Sequence, residues 1–273
     1  MLELNGKVAI VTGAGRQVGI GRHAALELAR LGADVVVTGT NRSPDTFPKS
    51  ELEVNWKGTE SVVNEVRGLG RKSLALTLDV TDHEQVENVV SSTIKAFGRI
   101  DILVNNGAFP VGKDRLPMLQ VEEDVFQKVV DVKVTGLFLM SQAVVREMIR
   151  IGDGGKIVNV SSQAGKRGVP NSLAYNAASF AIVGMTQSMA SELGPKGINV
   201  NAVCPGSVLT TRSGELDDPE RIFRANESAK TTPIGRNGTP EEVGAFIAYL
   251  CTNAASWITG QSININGGTV MEH

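Results

Sequence analysis

Short apolar runs rich in valine and isoleucine alternate with longer segments of helical periodicity from one end of the chain to the other. That alternation predicts βαβ units on a parallel sheet. The predicted strands are Lys7 to Val11, Asp34 to Thr38, Leu74 to Leu78, Ile100 to Val104, Lys156 to Val160, Ile198 to Val203 and Ser262 to Ile265. Each is nearly continuous in apolar character, as strands covered on both faces are. The expected architecture is α/β: one domain over residues 1–273, a doubly wound, seven-stranded parallel sheet flanked by helices.

Helix signals lie between these runs. Ile20, Ala24, Leu28 and Leu31 repeat at helical spacing, and Gly32 follows as a C-terminal cap. Thr81-Asp82-His83-Glu84 reads as a capping box, and Thr239-Pro240-Glu241-Glu242 repeats the device with proline in the first turn. Two segments break the alternation. Asn41 to Lys57, with two prolines, reads as an insertion, and Ser207 to Asn237, polar and punctuated, reads as a substrate lid. The second follows a strand end, where doubly wound sheets bind ligands.

Composition narrows the function classes. Hydrophobic residues at 41% and charged residues at 21% are the balance of an ordinary globular chain. A formal net charge of −2, with no basic stripe, argues against a nucleic-acid partner. No apolar run approaches the roughly 20 residues that span a bilayer, and the start lacks a signal-peptide pattern, so a cytoplasmic location is expected. Cys204 and Cys251 form no CxxC pair and read as reduced structural thiols. His23, His83 and His273 show no metal-ligand spacing and read as solvent-facing helix and tail residues, so no metal is expected.

After the first strand comes Thr12-Gly13-Ala14-Gly15-Arg16-Gln17-Val18-Gly19-Ile20-Gly21, inside which the first helix begins. Glycines there permit a tight turn and close backbone approach to a pyrophosphate, which the helix N-terminus attracts. On this loop and on the segments that follow it, the chain resembles the short-chain dehydrogenase/reductase family over nearly its whole length, and within it the 3-oxoacyl-ACP reductases. The resemblance implies a Rossmann fold, a nicotinamide dinucleotide and a homotetramer built through the helices that contain Lys133 and Tyr175. The family fingerprint is Thr-Gly-x-x-x-Gly-x-Gly, and here five residues separate Gly13 from Gly19. Gly13, Gly19, Ile20 and Gly21 are expected to keep their roles, with Arg16 and Gln17 on a bulge.

Further family segments follow in order. Asp79-Val80 closes the third strand, where the family aspartate meets the adenine amino group. Asn105-Asn106-Gly107-Ala108 resembles the family's Asn-Asn-Ala-Gly with the last two residues exchanged, which assigns Asn106 and Gly107 to the cofactor. Pro205-Gly206-Ser207-Val208-Leu209-Thr210 resembles the segment that holds the nicotinamide carboxamide, through Val208 and Thr210. An acid at the end of the second strand would repel a 2′-phosphate, and Thr38-Gly39-Thr40-Asn41-Arg42 has none. Arg42, with Arg16, Thr40 and Asn41, favours NADP(H). The competing reading is a solvated loop arginine at 42 and NAD(H) bound without an acidic anchor.

Tyr175 comes thirteen residues after Ser162, the family's spacing between its catalytic serine and tyrosine. The serine hydroxyl holds the substrate oxygen while the tyrosine donates or accepts its proton as hydride moves. The family lysine four residues after the tyrosine is replaced by Ser179, which with Tyr175 is counted among the cofactor contacts. The family asparagine of the preceding long helix is replaced by Lys133. Val129, Val130, Gly136 and Leu137 place Lys133 on an inward-facing stripe, so it is expected to stand in for the missing cation, against the alternative that it snorkels to solvent. Two functions compete: an NADP(H)-dependent oxidoreductase interconverting a ketone and a secondary alcohol, and a cofactor-binding relative with lyase-like or lost activity. The expected partner is a small carbonyl or alcohol substrate, its specificity set by Ser207 to Asn237 and Phe109 to Pro117.

Overall fold

The computed structural model describes residues 2–43 and 46–272. Pro44 of the 41–57 segment and His273 lie outside the described residues. In chain order the elements are β1 (Val8–Val11), α1 (Ile20–Arg30), β2 (Asp34–Gly39), α2 (Lys49–Glu53), α3 (Thr59–Gly68), β3 (Ser73–Thr77), α4 (His83–Phe97) and β4 (Ile102–Asn105). Then come α5 (Glu123–Val130), α6 (Gly136–Ile151), β5 (Gly155–Val160), α7 (Leu173–Leu193), β6 (Ile198–Pro205), α8 (Pro219–Thr231), α9 (Pro240–Leu250) and β7 (Ser262–Ile265). All seven predicted strands form, with ends within two residues of the expected ones.

The strands make one parallel sheet in the order β3-β2-β1-β4-β5-β6-β7. The order reverses between β1 and β4, where Ala9 to Val11 pair with Ile102 to Val104. A crevice opens at that switch point beyond the carboxyl ends of the strands. Side chains alternate across the sheet, so neighbours on one strand feed different cores. Ala9 and Val11 pack with Leu28 of α1, Val62 and Val66 of α3 and Ile247 of α9. Ile10, with Val36 and Leu103, packs with Val89 of α4, Met140 of α6 and Leu193 of α7.

Thr239 caps α9 as expected: its hydroxyl accepts from the Glu242 N–H at 3.4 Å, while the Glu242 carboxylate accepts from the Thr239 N–H at 2.9 Å. At α4 the expectation is displaced by one residue. Asp82 is the cap and accepts from the Gln85 N–H at 3.1 Å, because Thr81 spends its hydroxyl on Asp79 at 2.7 Å.

His23 also departs from expectation. It is buried on the inner face of α1, with Nε2 3.0 Å from a Glu241 carboxylate oxygen. The cause is close packing of α1 on α9, where a Cβ on Gly244 would fall 2.7 Å from the His23 carbonyl carbon.

Two local features position the site. Between α5 and α6 the helix widens into a π turn at Asp131–Thr135, which carries Lys133. Such widened turns recur at functional sites. Gly136 lets the start of α6 approach the end of β3, since a Cβ there would lie 2.8 Å from the Val80 Cβ.

Candidate active site

The crevice is a cleft of about 1090 Å³. Its floor is built by β1 and β4. The Thr12 hydroxyl accepts from the backbone N–H groups of Asn106 at 2.9 Å and Gly107 at 3.0 Å, and Asn106 Nδ2 donates back to the Thr12 carbonyl at 2.9 Å. Gly13 turns the chain at φ +64°, and a Cβ on it would lie 2.9 Å from the Gly107 Cα. A Cβ on Gly21 would lie 2.9 Å from the Ala14 Cα. These glycines let the loop fold onto β4 and leave its backbone facing the cleft.

Gly19 precedes α1 with no side-chain cap, and the first turn of α1 carries no acid. Its N–H groups and dipole are therefore open to an anionic ligand. A dinucleotide pyrophosphate fits that donor set.

The long loop is held from outside. The Trp56 indole donates to the Gly15 carbonyl at 2.8 Å, and the Gln17 N–H donates to a Glu51 carboxylate oxygen at 2.9 Å. Arg22, paired with Glu65 at 2.6 Å, donates to the Gln17 carbonyl at 2.8 Å. Segment 41–57, through α2, is thus a brace for the two extra loop residues. Glu51 is its centre: fully buried, it also accepts from the Thr211 hydroxyl at 3.3 Å and stands 3.5 Å from Arg42. Sequence reasoning missed Glu51, because the need for it arises only when a lengthened loop and a distant insertion meet in space.

Arg42 is half-buried, its guanidinium 4.4 Å from the Phe47 ring centre, which is not the surrounding of a solvated loop arginine. Arg16 donates to the Thr211 carbonyl at 3.1 Å. Burial, and then the nearby Arg42, depress the Arg16 guanidinium below its ordinary value, with Glu51 opposing. Two guanidiniums that repel each other beside a cleft make a place for an anion.

Of the expected cofactor residues, Gly13, Arg16, Gly19, Ile20, Gly21, Thr40, Asn41, Arg42, Asp79, Val80, Asn106, Gly107, Tyr175, Pro205, Gly206, Val208 and Thr210 line the cleft. Gln17 and Ser179 are not brought to it. The Gln17 backbone is tied outward to Glu51 and Arg22, and the short Ser179 side chain ends inside the fold, its hydroxyl buried and without a hydrogen-bond partner among the described residues.

The reaction centre lies where β5 and α7 meet. A buried chain fixes that junction: Asn105 donates to Ser141 at 3.0 Å and to Asn159 at 2.9 Å, and Asn159 donates to Thr186 at 3.0 Å. Ser162 follows β5, and its hydroxyl accepts from the Ala164 N–H at 3.1 Å. Tyr175, in the first turn of α7, is 9% exposed.

Lys133 is 3% exposed and does not run to solvent; its Nζ lies 4.8 Å from the centre of the Tyr175 ring. Two arginines unnamed by sequence reasoning complete the surround, Arg115 with Cζ 3.9 Å and Arg212 with Cζ 5.4 Å from that centre. Both fall in segments expected to set specificity. Arg115 is oriented by the Ser172 hydroxyl at 2.9 Å and Asp114 at 3.1 Å, and Arg212 donates twice to the Phe109 carbonyl, at 3.2 and 2.7 Å.

Burial by itself would raise the Tyr175 phenol. Lys133, then Arg212, the Ser162 hydroxyl and Arg115 outweigh it and bring the phenol down to about 7. Burial likewise depresses the Lys133 ammonium, with Tyr175 opposing. A buried tyrosine poised near neutrality is equipped to give or take a proton.

Among the described residues no helix is long and apolar enough to cross a membrane. A family model described as enoyl-(acyl carrier protein) reductase matches residues 13–270. A short chain dehydrogenase/reductase from Aspergillus oryzae, astE, is 37% identical over 266 residues, 97% of this chain and 95% of that one. A 3-oxoacyl-[acyl-carrier-protein] reductase from Synechocystis is 36% identical over 272 residues, 99% of this chain and all (100%) of that one. Among solved structures, a short-chain type dehydrogenase/reductase from Mycobacterium marinum matches with TM-score 0.82 at 32% identity, covering 99% of this chain and 98% of that one. The likeness runs end to end in both sequence and fold, and the chain belongs to the short-chain dehydrogenase/reductase family, oxidoreductases that act on carbonyl and alcohol groups.

Proposed function

We propose that this protein is an NADP(H)-dependent oxidoreductase that interconverts a ketone and a secondary alcohol, with Tyr175 as proton donor and acceptor. The observation that carries this reading is the buried Tyr175 phenol, ringed by Lys133, Arg115 and Arg212 and held at about 7. A bound nicotinamide dinucleotide supplies the hydride in one direction and accepts it in the other. Gly13, Gly19, Ile20 and Gly21 hold the pyrophosphate against the uncapped start of α1. Asp79 and Val80 border the adenine, Asn106 and Gly107 shape the floor, and Pro205, Gly206, Val208 and Thr210 face the nicotinamide end.

Arg42 and Arg16, with Thr40 and Asn41, take the 2′-phosphate. The mutual repulsion of the two guanidiniums supports NADP(H) over NAD(H). The Ser162 hydroxyl positions the substrate oxygen, and the Tyr175 hydroxyl protonates that oxygen in reduction or deprotonates it in oxidation. Lys133 replaces the family lysine from a different helix, stabilising the phenolate by its charge. Segment 207–237 serves as substrate lid, supported by its contacts from Thr211 to Arg16 and Glu51. Half-exposed Phe138 on α6 and Phe180 on α7 support a homotetramer built through these helices.

Oxidation of NADPH followed spectrophotometrically against a panel of ketones, with and without Tyr175→Phe, tests the reading. Turnover by wild type that vanishes in the variant is the expected result. Turnover by the variant at the wild-type rate overturns it.

A further inference from the structure

The substrate end of the cleft carries more positive charge than a neutral ketone needs. Lys133, Arg115 and Arg212 surround Tyr175, and Asp114 is the one carboxylate among the described residues in ion-pair contact with any of the three. With the phenol protonated, two positive charges stay unbalanced; with the phenolate formed, one does. Unbalanced charge in a partly dry cleft favours an anionic ligand.

The two arginines are also preoriented as a pair of forks. Arg115 donates Nη1 to the Ser172 hydroxyl, its Nε stands 3.1 Å from Asp114 as an ion-pair contact without a hydrogen bond, and Nη2 has no protein acceptor among the described residues. Arg212 spends Nε and Nη2 on the Phe109 carbonyl, which leaves Nη1 in the same condition. Both side chains line the cleft. Arg212 is held by one edge and Arg115 by Nη1 and its ion pair, and a guanidinium so held presents its remaining donors in a restricted direction, at smaller entropic cost to a ligand that meets them. Their Cζ atoms lie 3.9 and 5.4 Å from the Tyr175 ring centre, so an anionic group bound to them sits only a few bonds from the carbon whose oxygen meets the Tyr175 hydroxyl.

We infer that the substrate is a short oxo acid or the corresponding hydroxy acid, its carboxylate clamped between Arg115 and Arg212 beside the reacting carbonyl. The inference rests on the oxidoreductase reading above and deepens it. In reduction the carbonyl carbon gains a C–H bond from the hydride supplied by the reduced dinucleotide. The carbonyl π pair takes the Tyr175 proton, and the carboxylate stays ionised throughout. The product is a hydroxy acid, and the dinucleotide is left oxidised.

The probes are acetoacetate and its neutral isostere methyl acetoacetate. Their dissociation constants are measured by calorimetry on protein saturated with the oxidised dinucleotide, and kcat/KM on protein supplied with the reduced one. Wild type is expected to prefer the carboxylate by at least about tenfold in both readouts, the effect of one charge-assisted hydrogen bond that the ester cannot make. Arg212→Met and Arg115→Met should each bring that ratio down severalfold, with Arg212→Lys losing less. Equal or tighter binding of the ester by wild type overturns the inference, and this comparison needs no variant to fold. A ratio unmoved by both methionine variants, with only the pH profile displaced, also overturns it, because the arginines would then tune the phenol alone. Ester and acid reduced equally well would sink the carboxylate clamp and leave the oxidoreductase reading intact. Selective binding of the acid with neither compound reduced would sink that reading and leave the clamp.

Discussion

The Nζ of Lys133 stands 4.8 Å from the centre of the Tyr175 ring, although the two residues are carried by different helices. The π turn at Asp131–Thr135 places Lys133 there, and Gly136 lets that stretch of chain close on Val80. A cation in this position favours the phenolate by charge alone and needs no hydrogen bond to do so.

Tyr175→Phe should lower turnover by at least about 10³-fold, within the range spanned by removal of a general acid or base. Dinucleotide affinity should stay close to wild type, as measured by fluorescence titration. Ser162→Ala should cost about 10²-fold, as loss of one polarising donor does. A larger loss for Ser162→Ala than for Tyr175→Phe would reverse the assigned roles.

Arg42 and Glu51 predict opposite changes in cofactor choice. Arg42→Ala should weaken NADPH but not NADH, by about 1–3 kcal/mol for one missing charged hydrogen bond. Glu51→Gln keeps the volume and removes the negative charge that stands 3.5 Å from Arg42. It should therefore raise the affinity for NADPH relative to NADH. The two dissociation constants, measured for each variant, decide. Selectivity moving the same way in both would contradict a 2′-phosphate site at Arg42.

Gly136→Ala inserts a Cβ 2.8 Å from the Val80 Cβ. Overpacking of this kind costs about 1–3 kcal/mol. A urea melt should show the midpoint falling with unchanged slope, and cofactor binding should weaken because Val80 lines the cleft. An unchanged midpoint would mean that α6 has room to retreat.

Segment 207–237 should gain hydrogen-exchange protection when dinucleotide binds. Its anchors at Thr211 reach Arg16 and Glu51, both of which lie beside the proposed 2′-phosphate position. Equal protection in both states would count against a lid.

Much of the fold and part of the site are legible in the sequence because they are local. The seven apolar runs mark the seven strands, and strict alternation sends Ile10 and Val11 into different cores. Lys133 is legible too, since an inward-facing lysine on an apolar stripe stands out against its neighbours. What escapes depends on distant segments meeting in space. Glu51 matters because Gln17 and Thr211 converge on it, and Arg115 and Arg212 matter because two loops bring them to one ring. His23 reads as exposed in the sequence because nothing in the first helix announces that Gly244 lets α9 come so close.

The central claim is that Lys133 sets the protonation of Tyr175, and the pH dependence of kcat/KM in Lys133→Met tests it most directly. In wild type the phenol sits at about 7, so alcohol oxidation, which needs the phenolate, should rise as pH increases through that value, and ketone reduction, which needs the phenol, should fall. Among the charges facing Tyr175, Lys133 is the foremost of those lowering its pKa, ahead of Arg212 and Arg115. Methionine keeps the apolar stem and removes the charge. The oxidation limb should therefore move to distinctly higher pH, with turnover near neutrality reduced and recovered as the pH is raised. A Lys133→Met enzyme whose limb stays at the wild-type pH would contradict the account.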